Sequence, residues 1–176
     1  MTSTSSFVGG IVVLGAVALA VVNPPLGFRD ADPSTADSSS HHAGGAGVRR
    51  LDPDLRSALR AATAEAAADG VRIHVNSGWR SRAHQARLFR DAVDAYGSEE
   101  EAARWVATPE TSVHVSGGAV DVGPTSAAAW LAEHGREVGL CRVYVNEPWH
   151  FELFPDAVED GCPRLYADPT EDPRMQ

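Results

Sequence analysis

The chain has 176 residues, 43% of them hydrophobic, which is enough for one compact domain with a buried core. It carries 24 acidic and 15 basic side chains, so its net charge at pH 7 is −9. Such an acidic chain lacks the positive surface that nucleic acids require, and we expect no nucleic-acid partner. All basic side chains are arginines. The absence of lysine excludes a Gly-Lys-Ser/Thr phosphate loop, a lysine Schiff base and a Ser-x-x-Lys nucleophile.

The N-terminal segment is apolar. Residues 7–22 form a run without charge, and Ala18-Leu19-Ala20 matches the small-x-small pattern of a signal-peptide cleavage site. No basic residue precedes the run, so residues 1–22 are interpreted as a signal peptide or as a membrane anchor that contacts the bilayer. A buried core helix is the alternative. Both main interpretations predict an extracytoplasmic protein, either secreted or anchored to the cell membrane.

Three further regions follow from composition. Residues 23–47 combine Pro, Gly, Ser and Asp without apolar periodicity, which predicts a flexible linker. The folded domain is expected over residues 48–155. Residues 156–176 are polar and contain several prolines, so they are predicted to form a C-terminal tail.

Within the domain, helices are predicted from 3.6-residue apolar spacing and strands from alternation or short apolar runs. The first helix is expected to begin at Pro53 behind an Asp52 cap and to end at Asp69-Gly70. The remaining elements are, in chain order, a strand over 71–76, helices over 81–96 and 99–106, a strand over 119–122, a helix over 125–138, and strands over 142–145 and 149–153. This order predicts one small α+β domain, an antiparallel sheet flanked by helices.

The segment 112–121 is the first of three that concentrate polar residues. His114 precedes the doubled glycine Gly117-Gly118, and Asp121 follows it. The glycines let the backbone fold back, so the two side chains can reach one point. Imidazole and carboxylate are zinc ligands, although this pair alone is more typical of a surface hydrogen bond.

The second segment is the last predicted strand with the turn before it. Alternation places His150 and Glu152 on one face, and Trp149 and Phe151 on the other. His150 would be a third metal ligand, and Glu147, just upstream, would add a carboxylate beside it. An ordinary half-exposed strand is the alternative.

The third segment joins the first predicted strand to the second helix. Arg80 lies next to Ser81, a predicted N-cap, and can present a fixed cation to an anionic substrate group. Gln85 lies one turn further on the same helix. The alternative is an arginine that pairs with one of the many surface acids.

Taken together, the motifs Ser-x-His-x-x-Gly-x-Ala-x-Asp, Glu-x-x-His and an upstream Ser-Gly-aromatic-Arg-Ser-x-x-x-Gln resemble the VanY-type D-alanyl-D-alanine carboxypeptidases over residues 51–153. These are zinc peptidases related to the D-Ala-D-Ala dipeptidases and to the hedgehog fold. The resemblance implies a hedgehog-like or DD-peptidase-like fold and one zinc ion. The residues that it assigns are the zinc ligands His114, Asp121 and His150, the catalytic base Glu147, the catalytic and substrate-binding Arg80, and the substrate-binding Gln85 and Ser112.

The resemblance also implies the reaction. The expected substrate is a peptidoglycan stem peptide or its precursor, cut before the terminal D-alanine. Separately from the resemblance, the chain is expected to be a monomer. Two alternatives stay open: a cell-wall endopeptidase with the same metal chemistry, and a non-catalytic binding module stabilised by zinc.

The two cysteines, Cys141 and Cys162, are 21 positions apart and belong to the part of the chain expected outside the membrane. Disulfides persist there, so the two are predicted to pair. The alternatives are a small buried apolar residue at Cys141 with an incidental thiol at Cys162. A role for Cys141 as a zinc ligand is not expected, because three other ligands already complete a catalytic site.

Overall fold

The computed structural model describes residues 47–175. Its centre is a four-stranded antiparallel sheet in the order β1-β2-β4-β3. The strands are β1 His74–Ser77, β2 Ala119–Gly123, β3 Leu140–Arg142 and β4 His150–Leu153. The helices are α1 Pro53–Ala68, α2 Arg82–Tyr96, α3 Glu99–Ala103, α4 Val113–Ser116, α5 Thr125–His134 and α6 Ala157–Asp160, with 3-10 turns at Gly135–Val138, Pro169–Glu171 and Pro173–Met175. The predicted α+β domain with an antiparallel sheet is confirmed.

Helix α1 forms where its capping signals predict it. The Asp52 carboxylate accepts a hydrogen bond from the Asp54 N–H at 2.9 Å, and Pro53 occupies the first helical position. The apolar residues at helical spacing, among them Leu55 and Leu59, are buried in the core. This helix therefore covers one face of the sheet, together with Leu131 of α5.

Alternation along the two central strands gives the sheet one apolar and one polar face. Val120 and Val122 of β2 and Phe151 of β4 lie in the hydrophobic core. Asp121 and His150 alternate with them and are directly paired across the two strands. Polar side chains thus lie side by side on the face opposite the core.

The first strand is shorter than the alternation predicts. Residues 71–76 alternate between half-buried and exposed as expected, but the ladder begins only at His74, opposite Gly123. Pro124 follows Gly123 and has no N–H to offer a longer ladder. Residues 71–73 therefore keep the side-chain pattern of a strand without its hydrogen bonds.

The bounds predicted for the strand over 142–145 are wrong, because β3 lies earlier in the chain and spans Leu140–Arg142. The next residues pair with the C-terminal segment instead of with β4: Tyr166 N–H donates to Val143 O at 3.0 Å, and Val145 N–H donates to Tyr166 O at 2.9 Å. Of this stretch only Val143 and Tyr144 are buried, and Val145 is 58% exposed, so the apolar pattern predicted neither burial throughout nor the partner strand.

Two helices also differ from their predicted lengths. The helix predicted over 99–106 ends at Ala103. The helix predicted over 125–138 ends at His134 and continues as a 3-10 turn to Val138, which Gly139 terminates in the left-handed conformation. Helix ends commonly tighten in this way, because the last carbonyls lack intrahelical donors.

The C-terminal residues 156–175 are polar in composition and pack against the sheet. The predicted disulfide is confirmed, since Cys141 of β3 is bonded to Cys162 with Cα atoms 5.6 Å apart. Asp172 is completely buried. The chain after β4 thus returns to the sheet and places polar groups against it.

None of the helices within residues 47–175 is long and apolar enough to cross a membrane. The predicted signal peptide or anchor at residues 1–22 and the linker up to residue 46 lie outside the described residues.

Candidate metal centre

The turn between α4 and β2 brings His114 and Asp121 together, as the doubled glycine predicts. Gly117 ends α4 with φ at 84°, and a Cβ atom there would lie 2.7 Å from the Arg50 carbonyl oxygen. Only glycine fits such a position. Because Asp121 of β2 is paired with His150 of β4, the same turn also brings the second histidine to this point.

His114, Asp121 and His150 form a buried group that can hold a metal ion, each offering one ligand atom within 4.8 Å of the others. Asp121 Oδ1 lies 3.3 Å from both His114 Nε2 and His150 Nδ1. The two imidazole nitrogens are 3.2 Å apart. Two nitrogens and one carboxylate oxygen are a donor set that catalytic zinc sites use, with one coordination position left open.

The outer hydrogen bonds of the histidines test whether this group fits zinc. His114 Nδ1–H donates to Gly78 O at 2.8 Å, so Nε2 keeps its lone pair. His150 Nε2 lies 3.1 Å from Glu152 Oε1, which orients the ring with Nδ1 towards Asp121. Fixing the far ring nitrogen in this way is typical of metal-binding histidines. The donor set therefore fits the metal.

Electrostatics favour the ligand forms of His114 and Asp121. Burial lowers the pKa of His114, which keeps it neutral despite the nearby Asp121 carboxylate. Burial alone would raise the pKa of Asp121, but His114, His150 and Arg80 together hold it far below its ordinary value. Burial disfavours a charge on His150 as well, yet hydrogen bonds to Asp121 and Glu152 raise its pKa to about 10. A metal must therefore displace a proton from His150.

Arg80 lies against the metal-ligand group. Its Nη2 donates to Asp121 Oδ2, its Nε donates to Ser77 Oγ at 2.8 Å, and its backbone N–H donates to His114 O at 3.0 Å. Nη1 donates to the buried Gln85 Oε1 at 3.3 Å. In this arrangement Arg80 holds the second oxygen of Asp121, so that Oδ1 faces both imidazoles.

The other predicted substrate-binding residues lie close by along the chain. Gln85 is fixed from behind, because its Nε2 donates to Ala107 O at 2.8 Å. Ser112 is buried at the N-cap position of α4, two residues before His114. Gln85 is thus linked to the metal-ligand group by its hydrogen bond to Arg80. Ser112 is linked to the group by the backbone that leads to His114.

Glu147 lies at the edge of the group, in the turn before β4. Its Oε2 is 3.8 Å from His150 Nδ1, and its side chain is 13% exposed. Within residues 47–175 its carboxylate accepts no hydrogen bond. Burial raises its pKa to about 7, an effect that His150 and Arg80 oppose and Asp121 reinforces. It is a carboxylate poised to exchange a proton near neutral pH.

The sequence motifs assigned no role to Glu152, which contacts His150, or to Arg174, which contacts Glu152. Both oxygens of Glu152 are engaged, one by His150 and the other by Arg174 at 2.6 Å. Glu152, the other carboxylate that contacts His150, is therefore not free to act as the base. Strand alternation, which places Glu152 on the same face as His150, could have identified Glu152 as a neighbour of the metal ligand. No local sequence pattern connects Arg174, in the C-terminal segment, with Glu152.

The raised pKa of Glu147 predicts that its ionised carboxylate lowers the free energy of unfolding of the metal-free protein. This destabilisation depends on pH. Below its ordinary pKa of 4.5 the carboxyl is neutral in both folded and unfolded chains, so it causes no such destabilisation. Above its folded-state pKa of about 7 it is ionised in both, and the destabilisation reaches its full value. Glu147→Gln should therefore stabilise the protein at pH 8 relative to its effect at pH 4, by roughly 3 kcal/mol. Urea unfolding in the presence of a chelator measures this.

The matched control is Glu65→Gln on the exposed side of α1, which should shift stability by the same amount at both pH values. Equal effects of Glu147→Gln at pH 4 and pH 8 would contradict the prediction.

Comparisons with known proteins agree with one another on the family that this chain resembles. A family model described as VanY, D-alanyl-D-alanine carboxypeptidase, matches residues 48–156. A D-alanyl-D-alanine carboxypeptidase from Enterococcus faecalis is 32% identical over 127 residues, which cover 58% of this chain and 46% of the relative. This chain thus matches about half the length of that curated relative.

Two solved structures are also similar. One is a glutamate-to-alanine variant of the vancomycin resistance D,D-pentapeptidase VanY, from a VanB-type resistance cassette, in complex with Zn(II). It has 28% identity and a TM-score of 0.58, over 62% of this chain and 76% of the other. The second is VanYB in complex with D-alanine-D-alanine, with 28% identity and a TM-score of 0.57, over 61% of this chain and 74% of the other.

Proposed function

The chain belongs to the VanY family of D-alanyl-D-alanine carboxypeptidases, and we propose that it is a zinc-dependent peptidase that removes the terminal D-alanine from peptidoglycan stem peptides or their precursors. One observation carries the proposal. The buried ligand group of His114, Asp121 and His150 has beside it Glu147, a carboxylate without a hydrogen bond from residues 47–175. A binding module stabilised by zinc would need the ligands and not that carboxylate.

His114, Asp121 and His150 would hold the zinc ion. When bound there, zinc would supply Lewis-acid chemistry, lowering the pKa of a water molecule towards ~7 and stabilising charge on a carbonyl oxygen. Asp121 and the two imidazoles fix the position at which the substrate carbonyl must lie. Arg80 holds Asp121 in place for this purpose.

Glu147 is the proposed general base and acid. Its carboxylate takes the proton of the attacking water and then gives it to the amine of the leaving D-alanine. A pKa of about 7 suits both steps, because the group can accept and release a proton near neutral pH. Its partial burial limits competing hydrogen bonds from solvent.

Arg80 is the proposed anion-binding group, for the developing oxyanion or for the terminal carboxylate of the substrate. Its side chain is partly exposed, and Ser77, Gln85 and Asp121 each accept from one of its three nitrogens. A substrate anion would therefore be bound by the remaining N–H groups of Nη1 and Nη2. Gln85 is buried, so it would act on the substrate through Arg80. Ser112 is proposed to contact the substrate beside His114.

Assembled peptidoglycan lies outside the cytoplasmic membrane, and we propose that the domain acts there. The Cys141–Cys162 disulfide supports this location, because such bonds persist in oxidising compartments. We further propose that residues 1–22 are the signal peptide or membrane anchor that brings the domain there, and that the domain works as a monomer.

The zinc-loaded protein should be incubated with a synthetic stem pentapeptide and with cross-linked muropeptides, and the products identified by mass spectrometry. Release of one D-alanine from the pentapeptide is expected, and it should stop when zinc is chelated. Cleavage only within the cross-linked muropeptides would favour the endopeptidase instead. No cleavage of either substrate by protein that contains zinc would overturn the proposed activity.

A further inference from the structure

The C-terminal segment reaches the metal centre through Glu152, a residue of β4. Alternation along β4 puts Glu152 on the same face as His150, and Glu152 is 3% exposed. One carboxylate oxygen, Oε1, lies 3.1 Å from His150 Nε2. The contact leaves Nδ1, on the other side of the ring, to face Asp121. The orientation of His150 therefore depends on where the Glu152 carboxylate is held.

Arg174 holds that carboxylate. Its Nη1 donates to Glu152 Oε2 at 2.6 Å, and its Nη2 lies 3.4 Å from Oε1. The guanidinium is fixed in turn by Asp172, which accepts from Arg174 Nε at 3.0 Å and from the Arg174 backbone N–H at 2.9 Å. A planar guanidinium with a carboxylate on each side has little freedom to turn.

Asp172 also connects the segment to His150 by a second route. It accepts a hydrogen bond from Tyr144 Oη at 3.0 Å, and the Tyr144 ring packs against the His150 ring with centroids 5.3 Å apart. Asp172 is completely buried, so its position is set by these partners and not by solvent. Arg174, which holds the carboxylate at the edge of the imidazole, and Tyr144, which packs against the imidazole, are thus both partners of Asp172.

We propose that Arg174 is a positioning residue of the metal centre, fixing Glu152 so that His150 presents Nδ1 to the metal. This inference rests on the zinc site proposed above. Arg174 and Asp172 lie beyond residues 48–156, which match the family model, so this chain's own C-terminal segment supplies the support. The ion pairs of Glu152 within residues 47–175 are those with His150 and Arg174. Without Arg174, Oε2 would be a buried acceptor lacking a partner, and the carboxylate would have to move.

The test compares Arg174→Met with Arg104→Met. Arg104 makes an ion pair with the buried Asp168 at 3.0 Å, and so joins the same C-terminal segment to the domain without touching Glu152. The two arginine side chains are similarly exposed, 42% for Arg174 and 51% for Arg104. Arg104→Met therefore controls for loosening of the segment alone.

The readouts are the affinity for Zn²⁺, measured by competition with a chromophoric chelator, and the visible absorption spectrum of the Co²⁺-substituted protein, which reports ligand geometry. Arg174→Met should weaken Zn²⁺ binding by about 10- to 100-fold, as is typical when a group behind a metal ligand is lost. Its Co²⁺ spectrum should also change. Arg104→Met should leave both measurements within about twofold of the parent protein.

Equal Zn²⁺ affinity of Arg174→Met and the parent, or equal losses in Arg174→Met and Arg104→Met, would overturn the inference. If Arg174→Met does not fold, the double variant Asp172→Asn with Arg174→Met removes the cation together with its buried counter-charge, and the same loss is expected. A parent protein that binds no Zn²⁺ would refute the proposed function itself, which separates the two failures.

Discussion

Replacing Glu147 by Gln is expected to lower kcat on a peptide ending in D-Ala-D-Ala by about 10²–10⁴-fold, the usual contribution of a general base. The amide keeps the size and shape of the carboxylate but cannot accept the proton of the attacking water. Zinc content should stay at the parent level, because Glu147 is not one of the three residues of the ligand group. Steady-state kinetics together with metal analysis of the same preparation measure both quantities.

Glu110→Gln is a suitable control for the loss of a negative charge, since Glu110 is 67% exposed and pairs with Arg82 on the surface. Its activity should equal that of the parent. Activity of Glu147→Gln within about threefold of the parent would place the base elsewhere. Glu152 is a poor substitute, because its two oxygens already bind His150 and Arg174.

Replacing His114 by Ala is expected to reduce zinc to well under one equivalent and to abolish turnover. The substitution removes one of three ligands, and two ligands rarely retain a catalytic zinc ion. It also leaves the Gly78 carbonyl without its donor, so the turn around the site should loosen even before metal is lost. Metal analysis after dialysis and thermal unfolding with and without Zn²⁺ test these effects.

His74→Ala is the matched control, because His74 is an exposed histidine on β1 of the same sheet. It should keep the zinc content and the gain in stability that zinc gives the parent. Full zinc occupancy in His114→Ala would show that the ligand group has been assigned wrongly.

The ligand group was predicted from the family resemblance, and local sequence features support only part of that prediction. The doubled glycine at 117–118 predicts a reversal between His114 and Asp121, and strand alternation predicts the face that His150 shares with Glu152. The Cys141–Cys162 pairing was also accessible, from the compartment in which the chain was expected to lie. In each case a short stretch of sequence restricts the backbone or the chemistry strongly.

The misses come from pairings between distant segments. Residues 143–145 look like a strand next to β4, yet they pair with Tyr166 in the C-terminal segment, and β3 lies earlier in the chain. The contact of Arg80 with Asp121 spans 41 positions, and that of Arg174 with Glu152 spans 22. An arginine's charge is visible in a sequence, but its partner is chosen by the fold.

The disulfide also determines how far Arg174 can stray from its partner. Along the covalent path through the bond, Arg174 is 12 residues from the sheet. In the reduced protein the covalent path runs from the end of β4 at Leu153 and is 21 residues long. The effective concentration of a tethered group falls with about the −3/2 power of tether length, so reduction would dilute Arg174 around Glu152 only about twofold. Closing the loop stabilises the whole fold by about 3 kcal/mol, a much larger effect. Oxidation is therefore expected to act mainly on the free energy of unfolding, and to have little influence on how well the folded protein holds a metal.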